Sequence, residues 1–469
     1  MYKLIAIFVL ISSCLYGQGE VGYLIDEISS DSLNQRTVKS HSNVRPLIRQ
    51  RSSANLKPFQ FSGLGDVNYY NNTQSFFKAG LGIEAKGLLK NKFFYRIAGI
   101  GGVRKTNSFY NPQTFISDSL GNGAFYSQIK SRISYTPNHI FNFQAGVDNN
   151  FIGEGERSMF LSDYGSSYPF GQIRIRFWRL EYTILYQFLR ERDNNQWEGK
   201  FATSHHISVN PTKWLNIGFF ESVVFQPKDT LLNRGFDLEY MNPFILYRPQ
   251  EYSLGSSDNV LLGVNLNAYW KEHTFYSQFI IDEFSLTEVR AKSGWWANKY
   301  GAQVGVKGRF KHGANNFFYR LEYNFVRPYT YAHLSEEFNY GNQGFTLAHP
   351  YGSNFMEILA EVKWENKRFY GELFANYYLK GSSIDGFNYG EDVYTPYINR
   401  PEEYGHYIGS GKRINGAKAI ITLGYKVTDH GKLTAYIENH FDANTISKKV
   451  YYTPVIGIRS ILWNDSRNF

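Results

Sequence analysis

The chain has 469 residues, a formal net charge of +9, 18% aromatic residues (Tyr 37, Phe 38) and a single cysteine. A mean hydropathy of −0.41 excludes a bundle of membrane helices. One cysteine, Cys14, excludes a disulfide scaffold and a cysteine-bound zinc.

Met1, Tyr2 and Lys3 precede an apolar run over 4–11, then small residues. This pattern predicts a secretory signal peptide, 1–17, cleaved near Gly17/Gln18. The run is far short of the roughly 20 residues of a spanning helix. Ile11-Ser12-Ser13-Cys14 also fits a lipoprotein-type cleavage site. An exported protein rarely meets nucleic acid, so the basic balance points to anionic glycans and lipid phosphates as partners. Residues 18–58 are polar and aperiodic, with Arg45, Arg49, Arg51 and Lys57. They read as a periplasmic N-terminal arm or short plug, or as a disordered leader.

From 59 onward, strands are predicted at 59–70, 75–89, 92–103, 124–135, 140–148, 170–177, 180–190, 200–210 and 214–225. They continue at 259–270, 273–282, 300–310, 316–326, 354–364, 368–379, 415–427, 432–440 and 451–462. The clearest hairpin sets Tyr300, Ala302, Val304, Val306 and Phe310 against Gln303, Lys307 and Arg309. Its partner sets Phe317, Tyr319, Leu321, Tyr323 and Phe325 against Arg320, Glu322 and Asn324. A period of two with one apolar and one charged face is a strand with one face out of water. The apolar face outward and the charged face inward is the arrangement of a barrel in lipid.

Short turns alternate with longer connections at 105–123, 149–169, 191–199, 226–258, 283–299, 327–353 and 380–414. The outer loop 71–74 is the one short exception. The fold class predicted is all-β: an outer-membrane β-barrel over 59–469 with about 18 antiparallel strands, long extracellular loops and both termini periplasmic. The terminal aromatic Phe469 fits such a barrel. A cation facing lipid at the midplane costs about 2–4 kcal/mol. Lys130, Arg132, Arg174, Arg176, Lys307, Arg309 and Arg320 are therefore assigned to a basic lumen, offset partly by Glu322, Glu357 and Glu361. Such a lumen either attracts anions or is closed by salt bridges.

The long connections carry dense strings. Among them are Asn150-Phe-Ile-Gly-Glu-Gly-Glu-Arg157, Met241-Asn-Pro-Phe-Ile-Leu-Tyr-Arg248, Gly294-Trp-Trp-Ala-Asn-Lys-Tyr-Gly301, Val326-Arg-Pro-Tyr-Thr-Tyr-Ala-His333 and Leu347-Ala-His-Pro-Tyr-Gly-Ser-Asn354. On these strings the chain, from 59 to its end, resembles the Wzi-like capsule-assembly barrels, and among them the RemB-type gliding-motility members. The resemblance implies an eighteen-stranded outer-membrane barrel that helps attach capsular polysaccharide, binds glycan or supports gliding. It matches no specific ligand-binding residue.

Trp295, Trp296, Tyr329 and Tyr331 offer aromatic faces for sugar rings. Asn298, Arg327, His333 and His349 offer hydrogen-bond donors, with Arg327 a permanent cation for uronate or phosphate. The same residues equally suit a plug of inward-packed loops. Asp282-Glu283, Glu154 with Glu156, and His205-His206 form no coherent acid–base, nucleophile or metal constellation, so neither an enzyme nor a cofactor is expected. An anion-favouring porin and a subunit of a motility or secretion complex, with protein partners in the membrane, remain alternatives.

Overall fold

The computed structural model describes residues 36–44, 58–71, 75–90, 92–105, 115–120, 123–193, 196–227, 240, 258–427, 433–446 and 448–460. The predicted signal segment with Cys14, most of 18–58, the 241–248 string and Phe469 lie outside the described residues.

Eighteen antiparallel strands form a closed barrel. They are β1 (Gln60–Asn71), β2 (Ser75–Leu89), β3 (Phe93–Lys105), β4 (Gly123–Tyr135), β5 (Phe141–Asp148), β6 (Tyr168–Phe177), β7 (Leu180–Asp193), β8 (Gln196–Thr212) and β9 (Leu215–Phe225). The ring continues with β10 (Asn259–Trp270), β11 (His273–Glu283), β12 (Lys299–His312), β13 (Asn315–Val326), β14 (Phe355–Asn366), β15 (Phe369–Lys380), β16 (Ile414–Lys426), β17 (Leu433–Asn444) and β18 (Val450–Ser460). Each strand pairs with its neighbours in sequence, and β1 closes the ring on β18 through residues 66–70 opposite 455–459. Closure leaves no wall strand without a partner on either side, as hydrocarbon requires. Among the described residues no helix is long and apolar enough to cross a membrane.

The predicted strands appear one for one, with ends shifted by a few residues. Three local differences stand out. The span 191–199 is mostly strand, because β7 and β8 run on past Arg190 and pair as far as Asp193 with Gln196. β8 extends through Pro211 to Thr212, where the register with β9 shifts between Leu215 and Ile217. A proline is tolerated at such a strand end because the ladder is already interrupted. The connection 105–123 contains a short strand, Phe115–Leu120, added to β4.

Adjacent residues show which way the wall faces. Ile83 is 72% exposed while Glu84 is 5% exposed. Outward positions hold large apolar side chains around the ring, among them Phe61, Ile129, Leu321, Ile358, Leu423 and Ile437. Ionised side chains such as Lys130, Arg320 and Glu361 are buried on the inward face. The connections after even-numbered strands are short and lie at one rim. Those after odd-numbered strands include every long one and lie at the other. An even strand count brings the start of β1 and the end of β18 to the short-turn rim.

The upper lumen departs from the polar interior that was predicted. Inward-facing Leu185, Leu189, Phe220, Leu261, Ile280 and Phe355 join Met159, Phe160 and Leu161 of loop 149–167 in one buried apolar cluster. The barrel thus carries a packed core near its long-loop end. The described part of the N-terminal segment, 36–44, also lies in the lumen. Asn43 donates to Ser208 and Asn216 at 2.9 and 2.8 Å, His41 meets Ser208 at 2.7 Å, and Arg36 lies 3.3 Å over the Tyr269 ring.

Candidate functional site

Together with the N-terminal segment 36–44, three layers of loop fill and cover the lumen. Lowest is loop 149–167. Its Phe160 stacks on Phe220 of β9 at 4.7 Å. Gly263 of β10 makes room for that ring, since a Cβ there would fall 2.4 Å from it. The Met159 N–H donates to Gln278 at 2.8 Å, and Ser42 of the N-terminal segment donates to Glu154. The second layer is loop 327–354, which crosses the mouth from β13 to the far wall. There Lys200 donates to Asn339 at 2.7 Å, and the Gln343 N–H donates to the Arg190 carbonyl at 2.9 Å. The third layer is loop 381–413, tied to loop 284–298 by the Gly405 and His406 N–H groups donating to Ser293 and Gly294 at 3.0 and 2.8 Å. Loop 284–298 contains one short helix, Leu286–Ala291.

Each of the seven predicted lumen cations faces inward and stands beside a carboxylate or polar partner. Lys130 and Arg132 share Asp148 at 3.6 and 3.4 Å. Arg176 pairs with Glu181 directly opposite, while buried Arg174 lies across from Asn142 and Thr183. Lys307 reaches Glu154 at 2.8 Å, Arg309 reaches Glu272 at 2.7 Å, and Arg320 reaches both Glu156 and Glu361. Burial raises the Glu154 carboxyl, but Lys307, Ser42 and Arg36 outweigh it and hold it below the usual carboxylate range. Six of these seven cations thus stand in ion pairs within the protein, while Arg174 is placed only by strand register.

The eight glycan candidates divide. Tyr331 is fully buried, donates to the Met159 carbonyl at 2.8 Å, and receives no solvent. His349 is fully buried against Glu357 at 2.9 Å. Tyr329 and Asn298 are also buried: Tyr329 donates to the Asn388 carbonyl at 2.7 Å, and Asn298 accepts the Ser285 N–H at 2.7 Å. Tyr329 and Tyr331 adopt left-handed backbone, φ 66° and 71°, at a cost of order 1 kcal/mol each. Gly390 permits close approach of its backbone to this segment, because any Cβ there would press 2.4 Å from the Tyr329 nitrogen.

Trp295, Trp296, Arg327 and His333 stay half-buried at the long-loop rim. Arg327 is a brace: its guanidinium donates to the carbonyls of Asn298, Trp295 and His406 at 2.7, 3.1 and 2.9 Å. The Trp296 ring is occupied by Tyr397 at 4.5 Å and by Arg400 at 4.2 Å, and its N–H donates to Glu403 at 2.8 Å. Trp295 meets Trp296 edge-on at 6.4 Å, its one ring contact among the described residues. His333 lies 6.4 Å from Tyr397, and burial with nearby Lys299 pushes its imidazole down to about 4. The Arg400 hydrogen bond holds the Glu403 carboxyl below its ordinary range.

Sequence reasoning missed Tyr397, Arg400, Glu403 and His406. They sit in loop 381–413, and the string Arg400-Pro401-Glu402-Glu403-Tyr404 was the available signal. The catalytic candidates do not converge. Asp282 accepts the Tyr331 N–H at 2.9 Å, and Glu283 takes Lys299 at 3.0 Å. His205 and His206 face opposite sides of the wall, toward Tyr182 and Asn265. Among the described residues no cluster has the makings of a metal site.

No family model matches the sequence, and no curated protein matches it. Solved structures do match. Wzi of Escherichia coli, described as an outer membrane protein involved in group 1 capsule assembly and a carbohydrate-binding β-barrel, superposes with a TM-score of 0.58 at 13% identity. The match covers 88% of this chain and 87% of that one. OccAB2 of Acinetobacter baumannii and OprD of Pseudomonas aeruginosa follow at TM-scores of 0.45 and 0.43 with 9% and 10% identity, covering 86% and 88% of this chain and 97% and 98% of theirs. At these identities the likeness is one of fold: the chain is a closed eighteen-strand β-barrel of the outer-membrane kind, built like that of Escherichia coli Wzi.

Proposed function

We propose that this barrel is exported by its 1–17 segment to a Gram-negative outer membrane and holds surface polysaccharide at its long-loop rim. In this reading the rim faces outward, both termini are periplasmic, and the protein acts as a binder rather than an enzyme. The observation that carries it is Trp295. Its ring sits at the rim beside the Trp296–Tyr397–Arg400 stack, with Glu403 and His333 nearby to contact hydroxyls. Arg400, which is shared with Glu403, is the cation offered to an acidic sugar, and Arg327 fixes the backbone under Trp295. The fold shared with a carbohydrate-binding barrel supports the same reading.

Retention of the cell's acidic capsular or exopolysaccharide by the purified protein tests it. Trp295→Ala should weaken retention about tenfold, in the range of one stacked aromatic contact. Raising the salt should weaken the wild type further. Unchanged retention by Trp295→Ala would sink the proposal. A porin role is disfavoured by the apolar cluster packed into the lumen. A role in gliding, of the RemB type, has one observation of its own. Exposed Leu334, Ile398, Tyr404 and Tyr407 stand at the long-loop rim, where a partner of the motility machinery would dock. Loss of spreading with capsule intact would favour that role over glycan holding.

A further inference from the structure

The outer wall carries a groove that neither the lumen nor the rim aromatics use. Ala360, Ala375 and Ala419 are directly paired across β14, β15 and β16 and face outward. One row nearer the long-loop rim, Ala417 is paired with Ala443 of β17. Outward positions elsewhere on the same strands hold Val362, Leu373 and Leu423. The small side chains leave a recess of about 430 Å3, walled by Ile358 and Tyr377 on one side and by Phe441 and Val450 on the other.

The recess opens onto the apolar belt, so what enters it is hydrocarbon. Lipid tails are as apolar as the side chains they touch, so the groove alone discriminates little between lipids. Selectivity falls to whatever stands at its upper end. Lys412 and Arg413 lead into β16, and Lys448 and Lys449 lead into β18; all four are exposed. The two segments are tied together, because the Thr445 N–H donates to the Asn415 carbonyl at 2.9 Å and the Asn415 N–H donates to the Thr445 hydroxyl at 3.1 Å. Asp442, the nearest acid along β17, is turned to Lys418 at 3.5 Å. Cations at the neighbouring starts of β16 and β18, above an apolar slot, match one kind of molecule. Its tail is an acyl chain and its head is a phosphate, which an arginine fork and flanking ammonium groups hold well.

We propose that this face of β14–β18 binds a membrane lipid with an anionic phosphate headgroup, the acyl chain lying over the paired alanines and the phosphate on Arg413 and Lys448. The site is independent of the glycan reading. Native mass spectrometry of the full chain in mild detergent tests it, with phosphatidylglycerol and phosphatidylcholine of identical chains as probes. Phosphatidylglycerol should be retained about tenfold better, since a few juxtamembrane cations suffice for that preference. Ala375→Leu with Ala419→Leu fills the slot from outside and should lower retention of both lipids. Arg413→Gln with Lys448→Gln should lower phosphatidylglycerol to the phosphatidylcholine level. The latter pair lies on exposed loops, so it keeps the test intact if the leucines disturb the wall. Equal retention of the two lipids by the wild type, undiminished retention in the leucine pair, or a preference that survives the glutamine pair overturns the proposal.

Discussion

His41 is a residue whose charge the lumen does not accept. Burial pushes its imidazole down to about 4, with Glu181 opposing and Arg176 reinforcing the shift. The folded protein therefore keeps His41 neutral, while an exposed histidine takes its proton near 6.5. The released segment binds more protons than the docked one below 6.5, so docking is at full strength above that value and weakens as the pH falls toward 4. Labelling of Ser40→Cys by a thiol reagent, expressed relative to a free cysteine peptide at the same pH to remove the loss of thiolate, should be slow at pH 7.5 and rise steadily below 6.5. His41→Asn should flatten that profile. Arg327 gives the residue-scale lesson about reading function from type. An arginine beside aromatics suggested a ligand cation, but three carbonyls claim its guanidinium. Nothing in the local sequence announces those carbonyls, because one of them belongs to His406.

At the scale of elements, the strands were legible because lipid imposes one rule on every outward position. A polar side chain there is penalised, so the period of two survives in each strand. The inward face obeys no such rule, and its content depends on what fills the barrel. Leu185 and Leu189 share the face of Glu181, Thr183 and Gln187, and this break in the polar pattern was the visible sign of an apolar plug. The plug's ion pairs were out of reach, since Lys307 and Glu154 are 153 residues apart in sequence. Removing one partner of a buried pair leaves the other charge without compensation, at about 3–5 kcal/mol. Lys307→Met should therefore lower the unfolding free energy of the detergent-solubilised barrel by about that amount. Adding Glu154→Gln should restore most of the loss. Additive losses in the double variant would show that the two side chains do not act as a pair.

For the whole molecule, the consequence of an apolar cluster inside a wide ring is electrical. Barrels of 16–18 strands leave an aqueous channel when nothing occupies them. Here loop 149–167 and loop 327–354 occupy the upper part. Planar bilayers holding the wild-type protein should show no steady conductance steps. Replacing 152–163 with a short Gly-Ser linker should produce them. Large steps from the wild type would contradict the plug.

The seam between the first and last strands has its own implication for biogenesis. Gly65 and Ser460, joined there at 3.0 Å, are 395 residues apart. Bringing such distant ends together carries the largest loop-closure entropy in the molecule, so this pairing forms after the hairpins. Until it forms, two raw edges face hydrocarbon with bare amides. A chain that stopped before Val450 would lack the partner of β1 and leave β1 and β17 as unpaired edges, which hydrocarbon penalises.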